Sequence, residues 1–293
     1  MWDYSLLRAL AEVIAEGSFE RAARRLGITP SAVSQRVKLL EERTGTALVV
    51  RGQPCRATEA GRRLCRHAGE VALLEAGLQS DLGALVPQGP RPTIRIAVNA
   101  DSLATWFLPA LAGIEDRLFD LVVDDEEHTT ERLRRGEVMA AVATTPGPVA
   151  GCSSRRLGSL VYEASASPAF AARWFAAGVT AQALAEAPSL LFDAKDRLQE
   201  RWIESLFGEA SPRPVHRVPS SQGFVDAALA GLGWGLNPRT LAGPHVAAGR
   251  LVALAGGHML AVPLFWHWSR AVGPALKPLT DAVTREARRG LAP

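Results

Sequence analysis

Ser31, Ser34, Gln35, Arg36 and Lys38 occupy the outward side of a short segment whose inward side is taken by Val33, Val37 and Leu40. Hydroxyl, carboxamide and guanidinium groups on one helix face are the groups that read base edges in a major groove. Ser31, Ser34, Gln35 and Arg36 are therefore candidates for base-edge contact, and Lys38, Arg51 and Arg56 for phosphate contact. A second set lies further along the chain. Asn99, Asp101 and Ser102 follow the β-branched run Ile94–Val98, and Asp124, Asp125, Glu126 and Thr129 follow Leu121–Val123. Ser220 and Ser221 follow Val215–Pro219. In open α/β sheets, ligands sit at the carboxyl ends of strands, beside helix N-termini. Carboxylates there suit a cation, and free N–H groups near Ser102 and Ser221 suit a carboxylate. A ligand bearing both charges meets both demands, as an amino acid with a cationic side chain does.

The elements that must hold the first set are short and well punctuated. Asp3–Glu16 reads as a helix with Leu6, Leu7, Leu10, Val13 and Ile14 on one face, closed by Gly17. Ser18 is the expected N-cap of a second helix through Ala22, Ala23 and Leu26, and Gly27 supplies the turn. Thr29 caps a third helix that has Pro30 at its first position, where no N–H is needed.

The run from Ala22 to Glu41 has the pattern A-A-x-x-L-x-I-x-x-S-A-V-S-x-x-[apolar]-x-x-L-E, and it resembles the N-terminal domain of LysR-type transcriptional regulators. Leu48–Arg51 resembles that domain's first wing strand, Gly52–Arg56 its wing tip, and Thr58–Gly61 the start of its linker helix. The segments Val98–Leu111 and Thr129–Val138, with FWHW near the end, resemble the LysG/ArgP (IciA) branch. That resemblance implies a cytoplasmic DNA-binding regulator that senses L-lysine or L-arginine, controls a basic-amino-acid exporter and contacts RNA polymerase. It implies no cofactor, no metal and no catalysis. Asp124 stands where that branch leads one to expect Glu, and Trp234 where smaller residues are common; either change bears on effector preference.

From Thr58 to Val86 there is no proline, and Leu64, Val71, Leu78 and Leu85 recur every seven residues. That spacing favours helices wound around one another, so a homodimer is expected, and a homotetramer by resemblance. Pro87–Pro92 is a hinge. Beyond it, strand-like runs (94–98, 121–123, 139–143) alternate with helical ones (103–114, 130–136). A second such set covers 189–192, 196–207, 215–219, 221–230 and 233–236, followed by a late strand at 264–268 and a helix at 274–289. The expected fold is α/β: an all-α winged helix-turn-helix (1–57), a linker helix and hinge (58–91), and an effector-binding body (92–293). The body divides into two Rossmann-like α/β subdomains resembling periplasmic binding proteins, about 92–163 with 264–293, and about 164–263.

Composition fits this reading. Residues 1–70 carry twelve Lys/Arg against eight Asp/Glu, about +4, in a chain of net charge +3, so positive charge gathers where phosphates would be met. No apolar run of about eighteen residues predicts a membrane span, and no basic stretch precedes an apolar run as in a signal peptide. Cys55, Cys65 and Cys152 form no paired motif and read as reduced thiols. Two other readings compete with this one. An enzyme reading would look for a dinucleotide loop, a metal or a triad, yet Gly231–Gly235 precedes a strand instead of opening a helix, and His216, His258 and His267 have no spacing suggesting a metal or triad. A nucleoid or replication-associated DNA binder without an effector would share the N-terminal head but need no charged cleft.

Overall fold

The computed structural model describes residues 2–83, 89, 91–123, 126–147 and 149–293, with residues 80 and 126–128 described through their backbone. The N-terminal head is α1 (Tyr4–Glu16), α2 (Phe19–Leu26), α3 (Pro30–Thr44) and a two-stranded wing of β1 (Val49–Val50) and β2 (Arg56–Ala57). Its local chemistry follows the sequence closely. The side chains of Asp3, Ser18 and Thr29 accept hydrogen bonds from the N–H groups of Ser5, Arg21 and Ala32 at the three helix starts. Gly17, Gly27 and Gly45 end the helices in the left-handed region, which glycine enters without strain. Leu7, Leu10, Val33, Val37, Leu40 and Leu48 fill a small core of their own. Glu41, the last residue of the motif, turns back to the wing: its Oε1 accepts from the N–H of Leu48 at 2.8 Å and of Val49 at 3.3 Å. The wing is thereby tied to α3.

Helix α4 (Glu59–Leu82) leaves the head, and its first turn lies directly on the wing. A Cβ on Gly61 would stand 2.1 Å from the carbonyl oxygen of Leu48, so only glycine permits this approach. The heptad positions do not share one environment: Leu64 packs against the head, Val71 is partly buried and Leu78 is exposed. Next to them, Leu73 is buried in the body core, and Leu74 and Leu82 are exposed. Leu85 lies outside the described residues.

The body begins with β3 (Thr93–Val98), followed by a continuous helical run: α5 (Ala100–Ser102), a π-turn (Leu103–Phe107) and α6 (Leu108–Ala112). Next come β4 (Leu118–Val123), α7 (Glu126–Arg135), β5 (Ala140–Ala143) and the long β6 (Cys152–Ala166). Then follow α8 (Pro168–Trp174), α9 (Ala181–Glu186), β7 (Ser189–Leu191), α10 (Leu198–Phe207), β8 (Val215–Arg217) and α11 (Ser221–Leu229). The chain finishes through β9 (Gly235–Pro238), α12 (Arg239–Ala247), β10 (Val252–Ala253), β11 (Met259–Ser269) and α13 (Lys277–Gly290). Among the described residues the large sheet runs β10-β6-β11-β5-β3-β4, with β9 also on β6. The small sheet pairs β7 with β8 in parallel. Pairing is parallel at β3–β4 and β3–β5, as strand–helix–strand units require, and antiparallel where β6 and β11 enter.

Three elements differ from the sequence reading. The run 152–166, to which the sequence pattern assigns no strand, is the longest strand among the described residues, because β9, β10 and β11 all pair with it. Helix α7 starts at Glu126, not Thr130, since carboxylates are favourable in a first helical turn. Helix α10 starts at Leu198, not Asp196, leaving Asp196 on the preceding turn. Trp234 is fully buried in the core with its ring 5.5 Å from that of Trp202.

Candidate functional site

On the head, Ser31, Gln35, Lys38, Arg51 and Arg56 are exposed, and Ser34 and Arg36 are partly so. The α3 residues fall on the side opposite Val33, Val37 and Leu40, as a groove-reading face requires. Lys38 is 3.7 Å from Glu42, and the Arg51 guanidinium lies over the Phe19 ring at 5.5 Å, which steers the wing's base toward α2. Arg36 makes no ion pair among the described residues, so its fork is available.

The second site is a cavity of about 550 Å³ between the end of β3, strand β6, the Phe192–Leu198 turn and the start of α11. Of the sequence candidates, Asn99, Asp101 and Ser221 line it. Asn99 caps the helical run after β3 through its backbone conformation alone, and its Oδ1 is buried without a hydrogen-bond partner. The Ser221 hydroxyl at the first turn of α11 is likewise buried and unpartnered. Buried polar atoms are rarely left so, which marks both as positions for a ligand's polar groups. Asp101 is held on two sides. The Tyr162 hydroxyl donates to its Oδ2 at 2.7 Å, and the Thr105 hydroxyl donates to its backbone carbonyl at 2.6 Å. The π-turn that begins at Leu103 sits directly behind this residue, and π-turns are frequent beside functional sites.

The other candidates are placed differently. Ser102 is fully buried behind the wall with its hydroxyl unpartnered. Thr129 is fully buried on α7 and does not line the described cavity. Ser220 spends its hydroxyl as the N-cap of α11, accepting from the Gly223 N–H at 3.1 Å. Asp124 and Asp125 lie outside the described residues, as does the side chain of Glu126.

Sequence reasoning missed Tyr162, Asp193, Lys195, Asp196, Arg197 and Arg201, all on the cavity wall. Asp196 has the most telling surroundings. Its Oδ2 accepts from the Phe192 N–H and its Oδ1 from the Leu198 N–H, each at 2.9 Å. Burial nevertheless pushes its carboxyl above the ordinary range, and the charges of Asp101 and Asp193 add to the rise. A ligand cation placed against this carboxyl would offset that rise. Elsewhere, burial pushes the Cys65 thiol up to about 12 and raises that of Cys152, so both stay protonated. Among the described residues no helix is long and apolar enough to cross a membrane.

A helix-turn-helix head, a linker helix and a ligand-sized cavity in an α/β body define the architecture of a regulator with a sensory domain. Comparison with known proteins gives the family. Residues 4–62 match the bacterial regulatory helix-turn-helix protein, lysR family, and residues 87–288 match the LysR substrate binding domain. The chain therefore belongs to the LysR family of DNA-binding transcriptional regulators. It is 46% identical over 294 residues to the transcriptional regulator ArgP of Pseudomonas aeruginosa, covering 99% of this chain and 98% of that protein. It is 45% identical over 289 residues to the regulator LysG of Mycobacterium bovis, covering 99% and 94%. Among solved structures, ArgP from Mycobacterium tuberculosis matches with a TM-score of 0.83 at 43% identity, covering 100% of this chain and 99% of that one. Full-length LysG from Corynebacterium glutamicum with bound effector Arg matches with a TM-score of 0.71 at 39% identity over the whole of both chains.

Proposed function

We propose that the body of this regulator senses a basic L-amino acid, arginine or lysine, and that the bound effector changes how the head engages promoter DNA near a basic-amino-acid exporter gene. The observation that carries this reading is the cavity itself. Asp101, fixed by Tyr162, and the turn bearing Asp193 and Asp196 give it negative groups suited to a side-chain cation. The unpartnered Ser221 hydroxyl at the start of α11 and the Asn99 carboxamide suit the α-carboxylate and α-ammonium groups. The likeness to a LysG solved with Arg supports it. On this reading residues 1–57 bind DNA, 58–91 link and dimerise, and 92–293 receive the effector, with the lobes meeting along β6 and β11. Ser31, Ser34, Gln35 and Arg36 read bases, and Lys38, Arg51 and Arg56 hold phosphates. Asn99, Asp101, Ser102, Ser221 and the Asp124–Glu126 run serve the effector, with Thr129 and Ser220 supporting them. The protein works in the cytoplasm, as a homodimer or homotetramer alongside RNA polymerase, without cofactor or catalysis. Thermal melting with each of the twenty amino acids tests this, because a ligand selective for the folded state raises its apparent stability. Arginine and lysine should raise the midpoint most. A rise with acidic or apolar amino acids alone would overturn the reading.

A further inference from the structure

The cavity has two carboxylate-bearing walls that come from different sheets. Asp101 follows β3 of the large sheet, whereas Asp196 sits on the turn between β7 of the small sheet and α10. Asp193 shapes that turn: its Oδ1 accepts from the N–H groups of Lys195 and Asp196 at 2.8 and 3.0 Å. The cations around Asp196 are Lys195, Arg197 and Arg201 on the wall and Arg213 behind it. Arg197 is engaged by Glu200 at 2.8 Å and Glu204 at 3.8 Å, and Arg213 donates to the Ser189 hydroxyl at 3.0 Å. Asp196 itself has no ion pair among the described residues, and its carboxylate accepts from the backbone N–H groups of Phe192 and Leu198.

Building on the reading of the cavity as a basic-amino-acid site, we propose that Asp196 is the residue that sets effector specificity, clamping the side-chain cation against Asp101 from the opposite sheet. Two carboxylates facing one cavity repel each other, and a cation between them converts that repulsion into two attractions. A guanidinium presents five donors in a flat fork and serves both carboxylates at once. The buried, unpartnered Ser221 hydroxyl lies on the same wall and takes the other end of the ligand. A neutral side chain of equal length offers N–H donors but no charge, so it gains far less from the carboxylate.

Calorimetry on the full chain with L-arginine and L-citrulline, which match in length and differ in charge, tests this. The unaltered protein should prefer arginine by about tenfold or more. In Asp196→Asn, arginine should weaken by about ten- to a hundredfold, the worth of a charge-assisted contact, while citrulline changes by less than about threefold. Asp196→Glu keeps the charge while perturbing the turn, so it should retain a preference for arginine even where both ligands weaken. Equal weakening of both ligands in Asp196→Asn would show that Asp196 only supports the turn, and would overturn the proposal. So would an unchanged preference in Asp196→Asn, or loss of preference in Asp196→Glu. If the unaltered chain binds arginine and Asp196→Asn keeps its preference, this inference alone falls. If the unaltered chain binds no basic amino acid, the reading of the cavity falls with it.

Discussion

The Tyr162 hydroxyl stands 2.7 Å from Asp101 Oδ2 and donates to it, joining strand β6 to the first turn after β3. Residues 61 positions apart in the chain are thereby fixed to one another at the mouth of the cavity. The bond holds one carboxylate oxygen in place and leaves the other for the ligand. Tyr162→Phe should therefore weaken arginine binding about tenfold with little change in fold, since hydrogen bonds to charged groups contribute about 1.5–3 kcal/mol. Calorimetry measures the first effect and thermal melting the second. Unchanged affinity would mean that Asp101 needs no positioning.

The head makes a separable prediction. Arg36→Ala should relax sequence preference, because a guanidinium at the groove is suited to a base edge. Arg51→Ala should weaken binding to all sequences and reduce the salt slope by about one unit. Fluorescence anisotropy on operator and scrambled duplexes over a range of salt separates the two. Identical behaviour of both variants and the unaltered chain would contradict the assignment of α3 and the wing.

Gly61 tests the junction between head and linker. Its α-carbon faces the Leu48 carbonyl so closely that an added Cβ would lie 2.1 Å from the oxygen. Gly61→Ala must push α4 away from the wing, so DNA affinity should fall at least about tenfold, while arginine binding to the body is retained. Loss of both, or of neither, would show that the wing does not depend on this contact.

Exposed Leu74, Leu78 and Leu82 run along one side of α4 at four-residue spacing. They are the part of the expected seam that neither head nor body covers. Asp at both Leu74 and Leu78 should lower the mass measured by light scattering at micromolar concentration. A wild type that is already monomeric would remove the expected pairing.

His267 predicts a pH dependence of stability. It is fully buried on β11, its Nε2 is 3.2 Å from the Thr145 carbonyl, and burial lowers its pKa below the ordinary 6.5. The unfolded chain then binds more protons than the folded one once pH drops under that value. The stability owed to neutral His267 is present above about pH 6.5 and is lost as pH falls toward the folded value. His267→Gln should flatten this slope in denaturant titrations between pH 5 and 7. An equal slope in the variant would place the effect elsewhere.

Much of this was legible in the sequence where the determinants are local. Asp3, Ser18 and Thr29 cap their helices, and Gly17 and Gly27 close theirs, because each needs only its immediate neighbours. That Asn99, Asp101 and Ser221 line the cavity was legible because each follows a strand, where clefts of α/β sheets open. Strand β6 escaped because its Cys152–Arg156 start is polar and Gly158 interrupts it; the pairing with β9 and β11 that makes it a strand is long-range. Tyr162 was missed along with β6. Asp196 was hidden by an apparent helix over 196–207, yet its side chain ends the preceding turn by taking the N–H groups of Phe192 and Leu198. Trp234 packs on Trp202 in the core, a long-range contact that no local pattern announces.

The central claim is that a basic amino acid occupies the cavity beside Asp101. Isothermal titration of the full chain with L-arginine, L-lysine and L-glutamate measures this most directly. Saturable heat is expected with arginine and lysine, and none with glutamate. Arginine affinity should fall about ten- to a hundredfold in Asp101→Asn, in step with loss of the arginine-dependent change in DNA binding. Saturable glutamate binding with no response to arginine or lysine would contradict it.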